Sequence, residues 1–433
     1  MAIARPHLLM LHTRFSDLQR RELLRAAVEA GVHIILAAPR WWLENLDHGR
    51  VEHRIVIPDR QPELAARIIT RWLDTHGIEV DGLMAVAEES VELAAELGAY
   101  FGLPASPVEA AHAVRNKIAT RHLLAQRVPE GNPRYAVVRT PDELALALAE
   151  IGAPAVLKPA GSSGSRGVMR VASAAQFDGL YDRFRAQCAP DRDPIFIWYR
   201  DAFLVEEWLE GDEHSVCGSI SGGHIDIWAT VDKRVDHAVP MHCENIIPSR
   251  LPEQAQAELR DLTLRAVGAT GLDNCGFHVD LIRTPDGPRV LEIGGRAPGE
   301  YIASHLLPIA RPGFSPYQAL IEIALGRRPP PPPPIRTQAG WRALRPPNTG
   351  RLLAIRGLEK LARDAAVIAL ERMRRTGDIL TRPNERFNHF AVAGMIVSGG
   401  LDCDLRRLMD QLEETVTIEV ASSTPTAGNT YLE

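Results

Sequence analysis

"HVDLIRTPDGPRVLEIGGR", residues 278–296, reads as two apolar–polar strands folded about a Pro-Asp-Gly-Pro turn. With the turn centred on Asp286, Asp280 stands opposite Glu292 and His278 opposite Gly294. Alternation then puts 278, 280, 292, 294 and 296 on one face, and Phe277, Val279, Leu281, Leu291 and Ile293 on an apolar face. Two carboxylates directly opposite lie about 5 Å apart and repel by about 3 kcal/mol at an effective dielectric of about 20. A sheet keeps such a pair only if something positive relieves it. Mg2+ suits the place, as a hard cation bound through one or two carboxylates plus substrate phosphates. The plainer alternative is a pair neutralised by Arg or Lys. Arg296, one step along the same face, could hold a phosphoryl oxygen or a substrate carboxylate.

Two stretches upstream bear on the same chemistry. In "APAVLKPAGSSGSRGVMRVAS" (153–173) an apolar strand delivers Lys158, a small-residue turn follows, and a second apolar strand returns. Gly161, Ser162, Ser163, Gly164, Ser165 and Gly167 let backbone N–H groups and hydroxyls approach an anion closely. A P-loop would read GxxxxGK[ST] and open a helix; this segment does neither, and on its own it reads equally as a hairpin flap over phosphates and as an ordinary glycine-rich loop. In "FLVEEWLEGDEHSV" (203–216) an apolar strand ends in Glu206 and Glu207, then Leu209, with Glu213 placed to accept from ribose hydroxyls; the plainer alternative is a strand and turn with solvated acids. A lysine and glycine flap, a purine hinge and a metal carboxylate pair are the parts that phosphoryl transfer needs.

The chain's bulk properties agree. Its 433 residues exceed one core, and 45% hydrophobic with 24% charged residues is a globular composition. A formal charge of −6 argues against a nucleic-acid partner and leaves small molecules. No apolar run long enough for a bilayer and no signal-peptide pattern occur, so the expectation is a cytoplasmic protein with no membrane partner. Five scattered cysteines without CxxC fit a reducing compartment and no zinc ribbon. The richest histidine cluster, "DHAVPMHCEN" (Asp236, His237, His242, Cys243), reads better as a polar loop than as a metal site.

Strand and helix patterns alternate over the first hundred or so residues, with no GxGxxG after the first strand. The expected division is an N-terminal parallel α/β domain (1–106), a central domain (107–328) with a flap subdomain at about 128–202, a Pro-rich linker (329–335) and a C-terminal α+β unit (336–433). A single helix is expected from about Pro107 to Gln126, strand-rich sequence from there to about residue 300, and helical elements in "GLEKLARDAAVIALERMRRTG". Trp198 and Tyr199 either wall a pocket or simply pack.

These motifs, in this order over residues 80–310, resemble the ATP-grasp superfamily of carboxylate–amine ligases, most closely the L-amino-acid ligases that make dipeptides. The resemblance implies an ATP-grasp fold of α/β and α+β class. It implies ATP with Mg2+ or Mn2+, activation of a small carboxylic acid as an acyl phosphate, and attack by an amine to give an amide or peptide bond. By the same likeness Lys117 and Lys158 contact ATP phosphates, Glu206, Glu207 and Leu209 flank the adenine, and Glu213 the ribose. Asp280 and Glu292 match the metal carboxylates and Arg296 the arginine that steadies the transferred phosphate. His278, Glu89, Gly299 and Glu300 fall where donor or acceptor contacts belong. Many such ligases dimerise, and a homodimer stays open. One departure stands out: the family pattern "ExNxR" is "EIGGR" here, so Gly294 replaces a metal-binding Asn. The alternatives are a biotin-carboxylase-like enzyme and an ATP-binding regulator with degraded catalysis.

Overall fold

The apolar runs near the N-terminus form a parallel sheet. Strands β1 (His7–Leu11), β2 (His33–Ala38), β3 (His53–Val56) and β4 (Gly82–Ala85) pair in the order β3-β2-β1-β4. Helices cover both faces, so alternation sends Leu8 and Met10 into one core and Leu9 and Leu11 into another. The strand order reverses at β1, and ligands of such sheets sit beyond the C-terminal ends of the strands at that point. Arg14 follows β1 there, and Glu88 and Glu89 follow β4. The computed structural model describes residues 5–49, 51–236, 241–383 and 390–422.

A second, antiparallel sheet carries the flap. It comprises β5 (Tyr135–Val138), β6 (Ala155–Pro159), β7 (Met169–Val171) and β8 (Phe203–Glu207), in the order β5-β8-β6-β7. Helices Pro141–Ile151 and Leu180–Gln187 pack on it through Leu148, Phe184, Leu157 and Val205. β6 and β7 are the arms of the glycine-rich hairpin.

The main sheet starts with β9 (Asp212–Ser221), β10 (His224–Asp236), β11 (Met241–Ile247), β12 (Cys275–Thr284) and β13 (Gly287–Gly294). After the proline run come β14 (Gln338–Leu344), β15 (Gly350–Arg356), β16 (Val367–Arg372), β17 (Ile379–Leu380), β18 (Ala393–Gly399) and β19 (Thr417–Ser422). Three of these continue the same sheet, giving the order β13-β12-β9-β10-β11-β14-β18-β16, while β17-β15-β19 form a small sheet beside it. The residues expected as a C-terminal unit therefore share a sheet with the central domain.

Four local expectations are corrected. The helix expected over 107–126 is two helices, Val108–Arg115 and Lys117–Arg127, broken at Asn116, whose side chain caps the second by accepting from Ile118 N. The segment after it is not simply strands, because Glu253–Thr270 is an amphipathic helix burying Leu259, Leu262, Ala266 and Val267. Of the helical elements expected over 357–377, Leu358–Leu361 is a helix, but "VIALER" at 367–372 is a strand beside β18, consistent with its β-branched residues. His242 and Cys243 lie in β11 rather than in a loop, and His237 is outside the described residues.

The opening hairpin keeps the expected pairs, Asp280 opposite Glu292 and His278 opposite Gly294. A bulge then shifts the register by one, so Leu281 faces Val290. Val290, not Leu291, is the residue that joins Phe277, Val279, Leu281 and Ile293 in the core. The displaced Leu291 offers its carbonyl to Arg121 Nη2 at 2.8 Å.

Glu244 on β11 holds the sheet extension to the helix Leu405–Glu413. It is fully buried, accepts from Arg342 Nε at 2.9 Å and from Arg406 Nε at 2.7 Å, and Arg342 also reaches Asp410 at 2.6 Å. Breaking a buried ion pair costs about 3–5 kcal/mol; here the lower end applies because Arg342 keeps Asp410. Glu244→Ala should therefore destabilise the fold by about 3 kcal/mol in urea denaturation; a loss under about 1 kcal/mol would contradict this role.

Candidate active site

The site lies between the flap sheet and the β9–β13 part of the main sheet, with the ends of β1 and β4 closing one side. Lys117 is the first residue of its helix because Asn116 ends the preceding one; its Nζ donates to Ser162 O at 2.6 Å and to Glu292 Oε1 at 3.2 Å. Lys158, on β6, donates to Glu206 Oε2 on the adjacent β8 at 2.7 Å. Arg121, one helical turn beyond Lys117, takes the other Glu206 oxygen at 2.7 Å. Burial alone would raise the Glu206 carboxyl, yet Arg121 and Lys158 bring it down to about 2. Glu207 points the other way along β8 and binds Arg134 Nε at 2.8 Å, so it does not face Lys158. Leu209 lies between β8 and β9.

What relieves the Asp280–Glu292 repulsion here is lysine. Lys233 on β10, a buried side chain, donates to Asp280 Oδ1 at 3.0 Å, while Lys117 serves Glu292. Burial works against the Lys233 charge, but Asp280, Glu300 and Glu213 outweigh it and raise the ammonium above its usual range. Asp280 in turn is lowered, burial opposing and Lys233 prevailing. Among the described residues, Glu213, His242 and Asp280 bring one ligand atom each within 4.8 Å of one another.

His278 and Gly294 face each other, and the imidazole fills the space over the glycine. A Cβ at 294 would stand 2.1 Å from His278 Cε1 and 2.7 Å from both ring nitrogens. His278 Nδ1 is buried with no hydrogen-bond partner, and burial, then Arg296, lower its pKa, favouring a neutral ring. This ring shares a face with Asp280 and Glu292, while the ligand atoms that converge among the described residues are those of Glu213, His242 and Asp280, a donor set that fits a cation.

At the other end, Arg296 Nε donates to Glu88 Oε2 at 2.6 Å and Arg115 Nη1 to Glu88 Oε1 at 3.3 Å. Burial would raise Glu88, but Arg296 and Arg115 bring it to about 2. Glu89 meets Arg166 of the flap loop at 3.4 Å. Arg166 also donates to Ser163 Oγ at 2.9 Å, and Gly161 O accepts from Arg115 at 3.2 Å. Gly161 packs on Trp198, since a Cβ there would come within 2.6 Å of the Trp198 Cβ. Trp198 lies under Arg60 and Arg115 at 5.4 and 5.6 Å, and Tyr199 bonds Glu92, so this pair packs the flap against the N-terminal sheet. Ser162 and Ser163 are buried, Ser165 takes a left-handed turn at φ 57°, and Gly164 and Gly167 flank it. A Cβ at Gly299 would stand in ordinary contact with Arg296 Nη1 at 3.9 Å, whereas Glu300 is engaged by His242 Nδ1 at 2.6 Å and Asn245 Nδ2 at 2.9 Å.

The whole arrangement superposes on the L-amino acid ligase of Bacillus licheniformis with a TM-score of 0.77 and 18% identity, over 97% of this chain and 100% of that one. Residues 151–304 match the ATP-grasp domain. This chain has the ATP-grasp fold. Among curated proteins, carnosine synthase 1 of Gallus gallus is 29% identical over 324 residues, 70% of this chain and 34% of that protein. The alanine–anticapsin ligase of Bacillus subtilis is 25% identical over 192 residues, 42% of this chain and 40% of that protein. The chain thus spans about a third of the length of the carnosine synthases it matches.

Sequence reading missed Glu88, Arg115, Arg121, Arg166 and Lys233, and set His242 aside as part of a polar loop although its ligand atom lies with those of Glu213 and Asp280. Lys233 left one signal: in "IWATVDKRV" a lysine takes an interior position of a strand that also buries Val231. The others reach this ATP-grasp cleft from distant elements, as Glu88 reaches Arg296 across 208 residues.

Gly294→Ala should evict the His278 ring and cost about 1–3 kcal/mol by overpacking. Adding His278→Ala should recover most of that loss. Additive losses in the thermal-melt cycle would show that the two positions do not compete for one space.

Proposed function

We propose that this chain is an ATP-dependent carboxylate–amine ligase that joins an amino acid or small carboxylic acid to an amine, such as a second amino acid, releasing ADP and phosphate. The observation that carries the reading is one cleft in which Lys117, Lys158, Lys233 and Arg296 each lie on a carboxylate. Such a cleft can exchange those cations onto phosphate oxygens, and the ligases named above supply the reaction class.

In this reading Lys117, Lys158 and Lys233 hold the nucleotide phosphates under the 161–167 flap, and Leu209 and Glu206 lie along the adenine. Glu213 accepts from the ribose hydroxyls. Asp280 and Glu292 would hold Mg2+ or Mn2+, with His278 beside them in the space of the family's Asn, and a cation bound there would supply charge neutralisation for phosphoryl transfer. Arg296 steadies the phosphoryl group as the donor carboxylate attacks it. The amine then displaces phosphate from the acyl phosphate. Gly299 and Glu89 border the substrate end, which Glu88 anchors by orienting Arg296 and Arg115.

The test is to incubate the protein with Mg2+, ATP and paired amino acids, amines and small acids, reading phosphate release and product mass together. Phosphate appearing with a condensation product is expected. Lys158→Ala should lower turnover on the order of 100-fold while the melting temperature holds, since Glu206 keeps Arg121. Full turnover by that variant, or bicarbonate-dependent ATP cleavage in place of condensation, would overturn the assignment.

A further inference from the structure

The segment from Arg296 to Leu306 has an unusual backbone. Glu300 and Tyr301 are consecutive non-glycine residues at φ 51° and 65°, in the left-handed region that L side chains avoid, and a π-helical turn, Ile302–Leu306, follows directly. Conformations of this kind persist where their surroundings over-determine them. Here two separate networks do so. Tyr301 Oη bonds Glu371 on β16, which also accepts from Ser16 Oγ at 2.8 Å, and the Tyr301 ring stacks on Trp341 at 5.4 Å. Glu300 accepts from His242 Nδ1 at 2.6 Å and Asn245 Nδ2 at 2.9 Å, with Lys233 Nζ at 3.7 Å.

The opposite nitrogen of the His242 ring bonds Glu213. One imidazole therefore spans a carboxylate at the hinge and a carboxylate four residues past Arg296. Both carboxylates are acceptors, so the ring serves each as a donor, with Lys233 Nζ also 3.4 Å from Nδ1, and it sits at 16% exposure between them. Lys233 extends the set to Asp280.

We infer that Glu213, His242 and Glu300 form a relay through which nucleotide binding at the hinge orders the 296–306 segment that carries Arg296 and borders the substrate end. His242 is a positioning residue in it, touching neither reactant. The inference rests on Glu213 lying at the ribose. A change in the Glu213 carboxylate on ribose binding shifts the ring it holds, and through that ring the Glu300 carboxylate that anchors the left-handed Glu300–Tyr301 pair. Coupling of this kind is a free energy shared by the two ends.

Hydrogen–deuterium exchange of the full chain with MgADP as the probe tests it. In the native protein MgADP should slow exchange in 203–216, reporting binding, and also slow 296–306 by about 5-fold or more, the lower end of ordinary inter-site coupling. His242→Ala should keep the first effect and lose the second. Glu300→Gln, nearly isosteric but with only one acceptor oxygen left, should weaken the second effect without unfolding the segment. Slowing of 296–306 in both variants equal to the native protein would overturn the relay. So would a native protein in which 203–216 slows and 296–306 does not. If MgADP slows neither segment, the nucleotide reading itself falls, and the relay with it.

Discussion

Four carboxylates share one cleft, and each is held by a buried cation delivered from another part of the chain. Glu88 takes Arg115 and Arg296, Glu206 takes Arg121 and Lys158, Asp280 takes Lys233, and Glu292 takes Lys117. A unit pair at contact is worth about 4 kcal/mol at an effective dielectric of about 20, and leaving one such charge unpaired is costlier still. The α/β sheet, the flap and the main sheet are therefore fixed to one another at the same place where the chemistry is proposed. Nucleotide phosphates and a divalent cation offer the same charges to the same groups, so binding can exchange partners without leaving a charge stranded. That exchange is why ion pairs this dense suit a phosphoryl-transfer cleft rather than a purely structural core.

Much of this was legible in the sequence, and the limits have physical causes. Strand alternation gave the Asp280–Glu292 and His278–Gly294 pairs, because a period of two fixes which side chains share a face. The bulge at Leu291 was not legible, since one extra residue leaves the apolar–polar pattern nearly unchanged. The two lysines at 117 and 158 came from family likeness and from a small-residue hairpin. The break before Lys117 was signalled only by Asn116, a good cap within an otherwise helical run. Which acid each cation neutralises was invisible, because pairing across 85 or 208 residues leaves no local pattern. The plainer expectation for the acid pair, neutralisation by Arg or Lys, is what the structure displays, with Lys233 on Asp280 and Lys117 on Glu292.

Gly294 shows how a departure from a family pattern can be read. The missing side chain is not an empty place: the His278 ring stands over the glycine and leaves a buried nitrogen without a partner. A polar group thus remains at that corner of the site, carried by the opposite strand. The C-terminal residues likewise do more than append a domain. They lengthen the main sheet through β14, and through Glu371 they hold Tyr301, beside the proposed substrate end.

The claim on which the account turns is that a carboxylate is activated as an acyl phosphate. It is tested most directly with an 18O-labelled donor acid and the amine with which it condenses. Mass spectrometry of the released phosphate should find one donor oxygen in each molecule, because the carboxylate oxygen that attacked the γ-phosphoryl group leaves with it. Phosphate free of label, with product still forming, would contradict the mechanism.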